Sequence, residues 1–189
     1  MRNVVAVEYL TLDGVMQDPG GSGELEHGGW HNPYWNDELA QIQQEQLFAS
    51  DALLLGRVTY EGFAAAWPSM RDEEGFADRM NSLPKFVASR TLEEPLGWSN
   101  SSLLEGDVPE EVAKLKEPEG GDILVYGSGA LVNALLPHKL IDRYRLMVFP
   151  VVVGSGKRLF QDEVDKTDLK LTDAKTTSAG VAVLTYETA

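Results

Sequence analysis

Apolar residues in this chain gather in short dense runs separated by stretches of longer period. Val4–Leu10, Ala52–Gly56, Lys85–Ser89 and Asp122–Tyr126 are rich in Val, Leu, Ile and Ala, the pattern of strands covered on both faces. Between them, segments with helical spacing run from Asn32-Pro33 to about Ala49, from Tyr60 to about Ala66, and over Phe76–Leu83, Val108–Leu115 and Ala130–Leu136. Asn32-Pro33 predicts an N-cap followed by proline at the first helical position. Leu39, Ile42 and Leu47 then face the core and the Gln and Glu positions face water. Thr59 predicts the N-cap of the second helix, which Pro68 stops. Long strands are expected over Arg143–Val153, Leu169–Thr177 and Val181–Thr188, with Ser178-Ala179-Gly180 turning between the last two. Alternating strand and helix predicts an α/β sheet. The 189 residues suit one domain, with no repeat and no interdomain linker.

One stretch breaks the pattern. Past Leu12-Asp13-Gly14, the chain carries Pro19 and Gly20, Gly21, Gly23, Gly28 and Gly29. It is long for a connection in a compact domain, and loops of that length are often functional.

Charge and cysteine content narrow the chemistry. Thirty acids against 16 bases leave a formal charge of −14, which repels nucleic acid and anionic membrane alike. The absence of cysteine removes disulfides, thiolate metal sites and cysteine nucleophiles. His27, His31 and His138 have no metal-ligand spacing, so no metal is expected. No apolar run reaches membrane length and the N-terminal run lacks a secretory pattern, so a cytoplasmic protein is expected.

Three apolar strands end in small or cationic residues where the next segment begins: Gly56-Arg57-Val58-Thr59, Ser89-Arg90-Thr91 and Gly127-Ser128-Gly129-Ala130. In open α/β sheets ligands bind beyond the strands' carboxyl ends, where helix N-termini offer unpaired N–H groups. Glycines at 127 and 129 allow close backbone approach to an oxyanion, and the Ser128 hydroxyl could donate to it. Arg57 and Arg90 could grip phosphate with several donors. Taken singly, each feature is equally well read as a tight turn or a solvated arginine. Val132 breaks a dinucleotide fingerprint, and Val151 and Arg158 break a P-loop at Gly154–Arg158. Asp13, next to Gly14, is either a turn former or a carboxylate that touches substrate.

Together these segments resemble a known family. Leu10-Thr11-Leu12-Asp13-Gly14, Leu54–Tyr60, Phe86–Thr91, Tyr126–Leu131 and Phe149–Phe160 are similar, in order and over nearly the whole chain, to dihydrofolate-reductase-like proteins. The nearest branch is related to the C-terminal reductase domain of the bifunctional riboflavin-biosynthesis deaminase-reductase. The resemblance implies a three-layer α/β/α domain around a mixed, mostly parallel sheet, with NADPH bound across the strand ends. It implies that Gly56, Arg57 and Thr59 hold the adenylate side and pyrophosphate. Ser89 and Arg90 would recognise the 2′-phosphate, and Gly127, Ser128, Gly129, Ala130 and Leu131 would lie under the pyrophosphate. Met16–Trp30 would take the place of the loop that closes over nicotinamide. The acid that dihydrofolate reductase carries on its first long helix has its nearest counterparts in Asp37, Glu38 and Glu45.

The activity implied is hydride transfer to a C=N or C=O carbon of a small heterocyclic (pterin- or pyrimidine-like) or carbonyl compound, with Asp13 or an ordered water as proton source. The alternatives are a nucleotide- or pterin-binding module of the same fold without reductase activity, and a scaffold that binds nothing. A homodimer is expected, built partly on the long C-terminal strands, whose edge or flat face needs cover.

Overall fold

The computed structural model describes residues 1–162 and 164–189. Its centre is an eight-stranded sheet in the order β4-β3-β2-β5-β1-β6-β8-β7. The strands are β1 (Val4–Thr11), β2 (Ser50–Gly56), β3 (Lys85–Ala88), β4 (Ser101–Leu103), β5 (Asp122–Tyr126), β6 (Arg143–Phe149), β7 (Leu169–Thr176) and β8 (Ala182–Thr188). Every pair from β4 to β6 is parallel, and β8 runs antiparallel to both of its neighbours. The helices are α1 (Asp37–Phe48), α2 (Arg57–Ala66), α3 (Phe76–Ser82), α4 (Val108–Lys116) and α5 (Gly129–Leu135).

Strand alternation divides the core in two. Val5, Val7, Leu53, Leu55 and Leu124 pack with Leu39 and Leu47 of α1, Tyr60 of α2 and Met80 of α3. Val4, Ala6, Leu54, Ile123 and Val125 pack with Val112 of α4 and Leu131, Val132 and Leu135 of α5. The sheet is therefore the middle of three layers, because each strand can bury both faces only if helices cover both.

Several boundaries differ from the expectation. Asn32–Tyr34 forms a single 3-10 turn, and α1 starts only at Asp37, capped by the Asn36 side chain accepting from the Leu39 N–H at 3.0 Å. Two of its glutamines, expected to face water, are buried because they have partners: Gln43 donates to Tyr9 OH at 2.8 Å, and Gln46 accepts from Arg145 at 2.7 Å. The second helix starts at Arg57 with Gly56 as its cap, so Thr59 lies inside the first turn. Strand β6 stops at Phe149 rather than Val153, because Pro150 has no N–H for a ladder. Beyond it, the Val151 carbonyl accepts from the Leu12 N–H at 2.8 Å, which ties the two strand ends together.

Candidate functional site

The carboxyl ends of β1, β2, β3 and β5 open into one cleft of about 2230 Å³. A single-ligand pocket is typically about 300–1,000 Å³, so this one has room for a dinucleotide and a second reactant side by side.

Two corners of the cleft form one hydrogen-bonded unit. The Gly56 N–H donates to Ser128 Oγ at 2.9 Å, and the Ser128 N–H donates to Thr59 Oγ1 at 3.0 Å. Gly127 and Ser128 both have left-handed backbone, φ +53° and +56°, which bends β5 sharply into α5. A Cβ at Gly127 would stand 3.1 Å from Thr59 Oγ1, so glycine, which also suits the left-handed backbone, lets the two turns close without displacing Thr59. A Cβ at Gly129 would meet Met16 Sδ at 2.5 Å, so Met16 lies directly over the start of α5. Leu131 and Val132 donate their N–H groups to Ser128 O, while the N–H groups of Gly129 and Ala130 stand ahead of any intrahelical partner. The expected role of the Ser128 hydroxyl needs correction. Its proton goes to Tyr126 O at 2.9 Å and its oxygen accepts from Gly56, so it fastens β2 to β5 instead of donating to a ligand.

The third corner follows β3, the neighbour of β2. Ser89 Oγ accepts from the Thr91 and Leu92 N–H groups at 3.2 and 3.0 Å, folding a turn that carries Arg90 into solvent on the cleft rim. Among the described residues, none hydrogen-bonds the Arg90 guanidinium. Arg57, half-exposed, pairs with Glu61 at 3.0 Å. Such surface pairs contribute only about 0.3–0.5 kcal/mol, so a ligand can draw the guanidinium away at little cost.

The Gly-rich stretch forms the opposite wall, and it is organised around one carboxylate. Burial raises the Asp18 pKa, but the Ser22 N–H, the Ser22 hydroxyl and the Leu25 N–H outweigh it and hold the group below its ordinary value. Asp18 itself has a positive φ of 53°, and a Cβ at Gly28 would fall 2.0 Å from its Oδ2. Trp30 is buried and donates Nε1–H to Gln17 O at 2.9 Å. Met16, Gln17 and Asp18–Ser22 line the cleft. The turn at Gly154–Arg158, whose Lys157 and Arg158 also line the cleft, braces this wall, with Lys157 N–H donating to Gln17 Oε1 at 3.0 Å.

Asp13, expected as a proton source, is fastened away from the cleft. It is absent from the cleft lining. The Thr11 hydroxyl at 2.6 Å and the Gly154 and Val153 N–H groups hold its carboxyl below the usual range. Held by three donors, the carboxylate ties the end of β1 to the 150s turn.

Among the acids that line the cleft, Glu8 is only 2% exposed. Burial pushes its carboxyl well above the usual value. Sequence reasoning missed it, although the signal was present: it is the one acid in the apolar run Val4–Leu10. Around Tyr9 and Gln43 the cleft is walled by His31, Trp35, Phe63 and Trp67. Tyr9 stacks on His31 with centroids 5.4 Å apart, and Gln43 Oε1 is a buried acceptor without a partner among the described residues.

Comparison with known proteins agrees with this architecture. The family described as "RibD C-terminal domain" matches residues 2–184. The chain belongs to that family. Its members are dihydrofolate-reductase-like, NAD(P)H-dependent reductases. The chain is 32% identical to the uncharacterized protein YyaP of Bacillus subtilis over 98% of its own length and 94% of that protein. It is 38% identical to the uncharacterized YwjB of the same organism, covering 92% and 91%. Among solved structures, a protein of Shewanella sp. PV-4 assigned provisionally to riboflavin biosynthesis superposes with a TM-score of 0.76 at 21% identity, over 99% of both chains. A pyrimidine reductase-like protein from Corynebacterium diphtheriae gives 0.64 at 13% identity, over all of this chain and 92% of that one. At those identities the likeness concerns the fold. The RibD C-terminal fold explains the sheet order and the cleft at the strand ends.

Proposed function

We propose that this protein is an NADPH-dependent reductase of a small heterocyclic or carbonyl compound. The observation that carries the reading is the hydrogen-bonded junction of the Gly56–Thr59 and Gly127–Gly129 turns, with the Ser89–Arg90 turn on the adjoining strand end. These three corners line one cleft. The residues suit a dinucleotide: glycine backbone packed where a Cβ would collide, unpaired N–H groups at Gly129 and Ala130, and cations at Arg57 and Arg90 on the rim of a chain of charge −14.

In this reading Gly129 and Ala130 hold the pyrophosphate through backbone N–H groups, with Arg57 beside them, and Ser89 and Arg90 select the 2′-phosphate. When bound, the reduced nicotinamide supplies a hydride. The wall built on Asp18 keeps water from the reacting atoms, and Tyr9, His31 and Trp67 hold the acceptor flat against it. The exposed strand β7 supports a homodimer, since all but one of its residues is exposed.

The test is twofold. Titration with NADPH should quench the fluorescence of Trp35 and Trp67, both of which line the cleft. Addition of a pterin, flavin-precursor or quinonoid acceptor should then consume the reduced nicotinamide's near-ultraviolet absorbance. Quenching without consumption across such a panel would leave a binding module, and no quenching would refute the reading.

A further inference from the structure

The acids of α1, Asp37, Glu38 and Glu45, are exposed, whereas Gln43, which lines the cleft, is only 4% exposed and neutral. Its neighbours fix which way the amide is turned. Nε2 lies 2.8 Å from the Tyr9 hydroxyl oxygen and 3.2 Å from Met147 Sδ. A thioether sulfur accepts and never donates, so the NH2 group belongs on that side. Oε1 is left as a buried acceptor with no donor among the described residues. The Tyr9 oxygen accepts the amide proton, and the hydroxyl's own proton is given to no acceptor among the described residues. Tyr9 packs on the α1 face of the sheet with Val5 and Val7. Its ring is stacked on His31 and stands edge-on to Phe149 at 5.3 Å, within the aromatic wall against which the acceptor is placed. An unpartnered acceptor and an unspent donor, neighbours at a ligand cleft, call for ligand groups of the opposite sense.

We propose that Tyr9 and Gln43 select the acceptor by a cis-amide edge, with a ring N–H donating to Gln43 Oε1 beside a ring C=O that accepts from the Tyr9 hydroxyl. This rests on the reductase reading for which reactant fills this half of the cleft. The substrate class is then a flat, uncharged heterocycle containing a cyclic amide. His31, Trp35, Phe63 and Trp67 suit its ring faces. An edge with donors only, such as an amidinium, would set an N–H against the Tyr9 proton. A carboxylate would set its oxygen against Gln43 Oε1. Either mismatch leaves buried polar groups unpaired, which discriminates more strongly than the loss of an apolar contact.

The probes are carbostyril, a fused cyclic amide, its N-methyl derivative, and diaminoquinazoline, whose protonated edge has donors only. Each is titrated without coenzyme into isotope-labelled protein while the tryptophan indole signals are followed by NMR, since Trp35 and Trp67 line this half of the cleft. Wild-type protein should bind carbostyril about tenfold or more tighter than either of the others, with shifts at Trp35 and Trp67. Gln43→Glu, whose carboxylate has acceptors only, should reverse the preference in favour of diaminoquinazoline. Tyr9→Phe should weaken carbostyril about tenfold, and it decides alone if the Glu side chain prevents folding. No binding of carbostyril, equal affinity for its N-methyl form, an unreversed preference in folded Gln43→Glu, or unchanged affinity in Tyr9→Phe would overturn the proposal. Selectivity for carbostyril in a protein that does not bind NADPH would remove the reductase reading and leave the edge recognition standing. NADPH binding without that selectivity would do the reverse.

Discussion

At the scale of single residues, the two acids of β1 and its following turn have opposite titration behaviour. Asp13 is surrounded by donors, so its pKa is lowered, and the stability it contributes is present above its ordinary value of 3.8 and lost as pH falls through the lower folded value. Glu8 is surrounded by hydrocarbon, so the native state keeps its proton above the ordinary 4.5 while the unfolded chain loses it. The native state then binds more protons than the unfolded one, and stability falls as pH rises from about 4.5 until the folded value is passed. Chemical denaturation across this range should show Glu8→Gln gaining on wild-type protein by about 1.4 kcal/mol per pH unit within that window. A pH-independent difference would mean that Glu8 is ionised in the fold. Arg90 is the other decisive residue. Arg90→Ala should weaken NADPH at least tenfold and NADH hardly at all, and equal losses for both would remove the 2′-phosphate contact. Asp13 and Arg90 are visible in the sequence as residues that follow a strand. The Arg90 turn is set locally by Ser89, whereas the direction of Asp13 depends on partners more than a hundred positions away, such as Gly154.

At the scale of elements, the strands were largely legible because dense apolar runs bounded by glycine or a cap leave few alternatives. Helix starts were less legible. Asn32-Pro33 and Thr59 both have the chemistry of a start, but Asn36 caps the first helix and Thr59 spends its hydroxyl on Ser128. Strand β4 escaped because Ser101–Leu103 is short and polar and sits at the sheet edge, where a strand need not be hydrophobic. The edge it forms with β3 is fastened by Lys85. Its fully buried ammonium donates to Asn81 O, Leu83 O and Ser99 O at 2.8, 2.9 and 3.0 Å and lies 4.2 Å from the centre of the Trp98 ring. Burial pushes this amine down to about 8, while three carbonyls and an aromatic face favour its charge at neutral pH. Lys85→Ala would strand those carbonyls and leave a void. Thermal or urea unfolding should show a loss of about 3 kcal/mol or more, and a change under 1 kcal/mol would contradict the account. The equivalent change at the cleft, Ser128→Ala, removes the bolt between β2 and β5. It should cost about 1–3 kcal/mol and weaken NADPH together with stability.

At the scale of the molecule, the parallel half of the sheet builds the cleft and the antiparallel end, β8 and β7, supplies exposed surface. Strand β7 is the edge, and Lys170, Lys175 and a register shift between Leu171 and Asp173 are features that discourage edge-to-edge addition. The proposed homodimer is therefore expected to use the face of β7–β8, where Leu171 is exposed, and light scattering should give twice the 20.8 kDa chain mass. A mass of one chain at micromolar concentration would refute it. Order along the chain was enough to suggest the RibD C-terminal architecture. The polar lining was harder to read: Tyr9 and Glu8 lie in an apolar run that reads as buried strand, while Gln43 stands among Gln and Glu positions that read as a solvated helix face.

The central claim is that three strand-end turns grasp one pyridine coenzyme. A crystal structure determined with NADPH tests it most directly. The account places the pyrophosphate against Gly129 and Ala130, the 2′-phosphate within reach of Arg90, and the nicotinamide beside Tyr9. Coenzyme bound elsewhere, or none at saturating concentration, would contradict it.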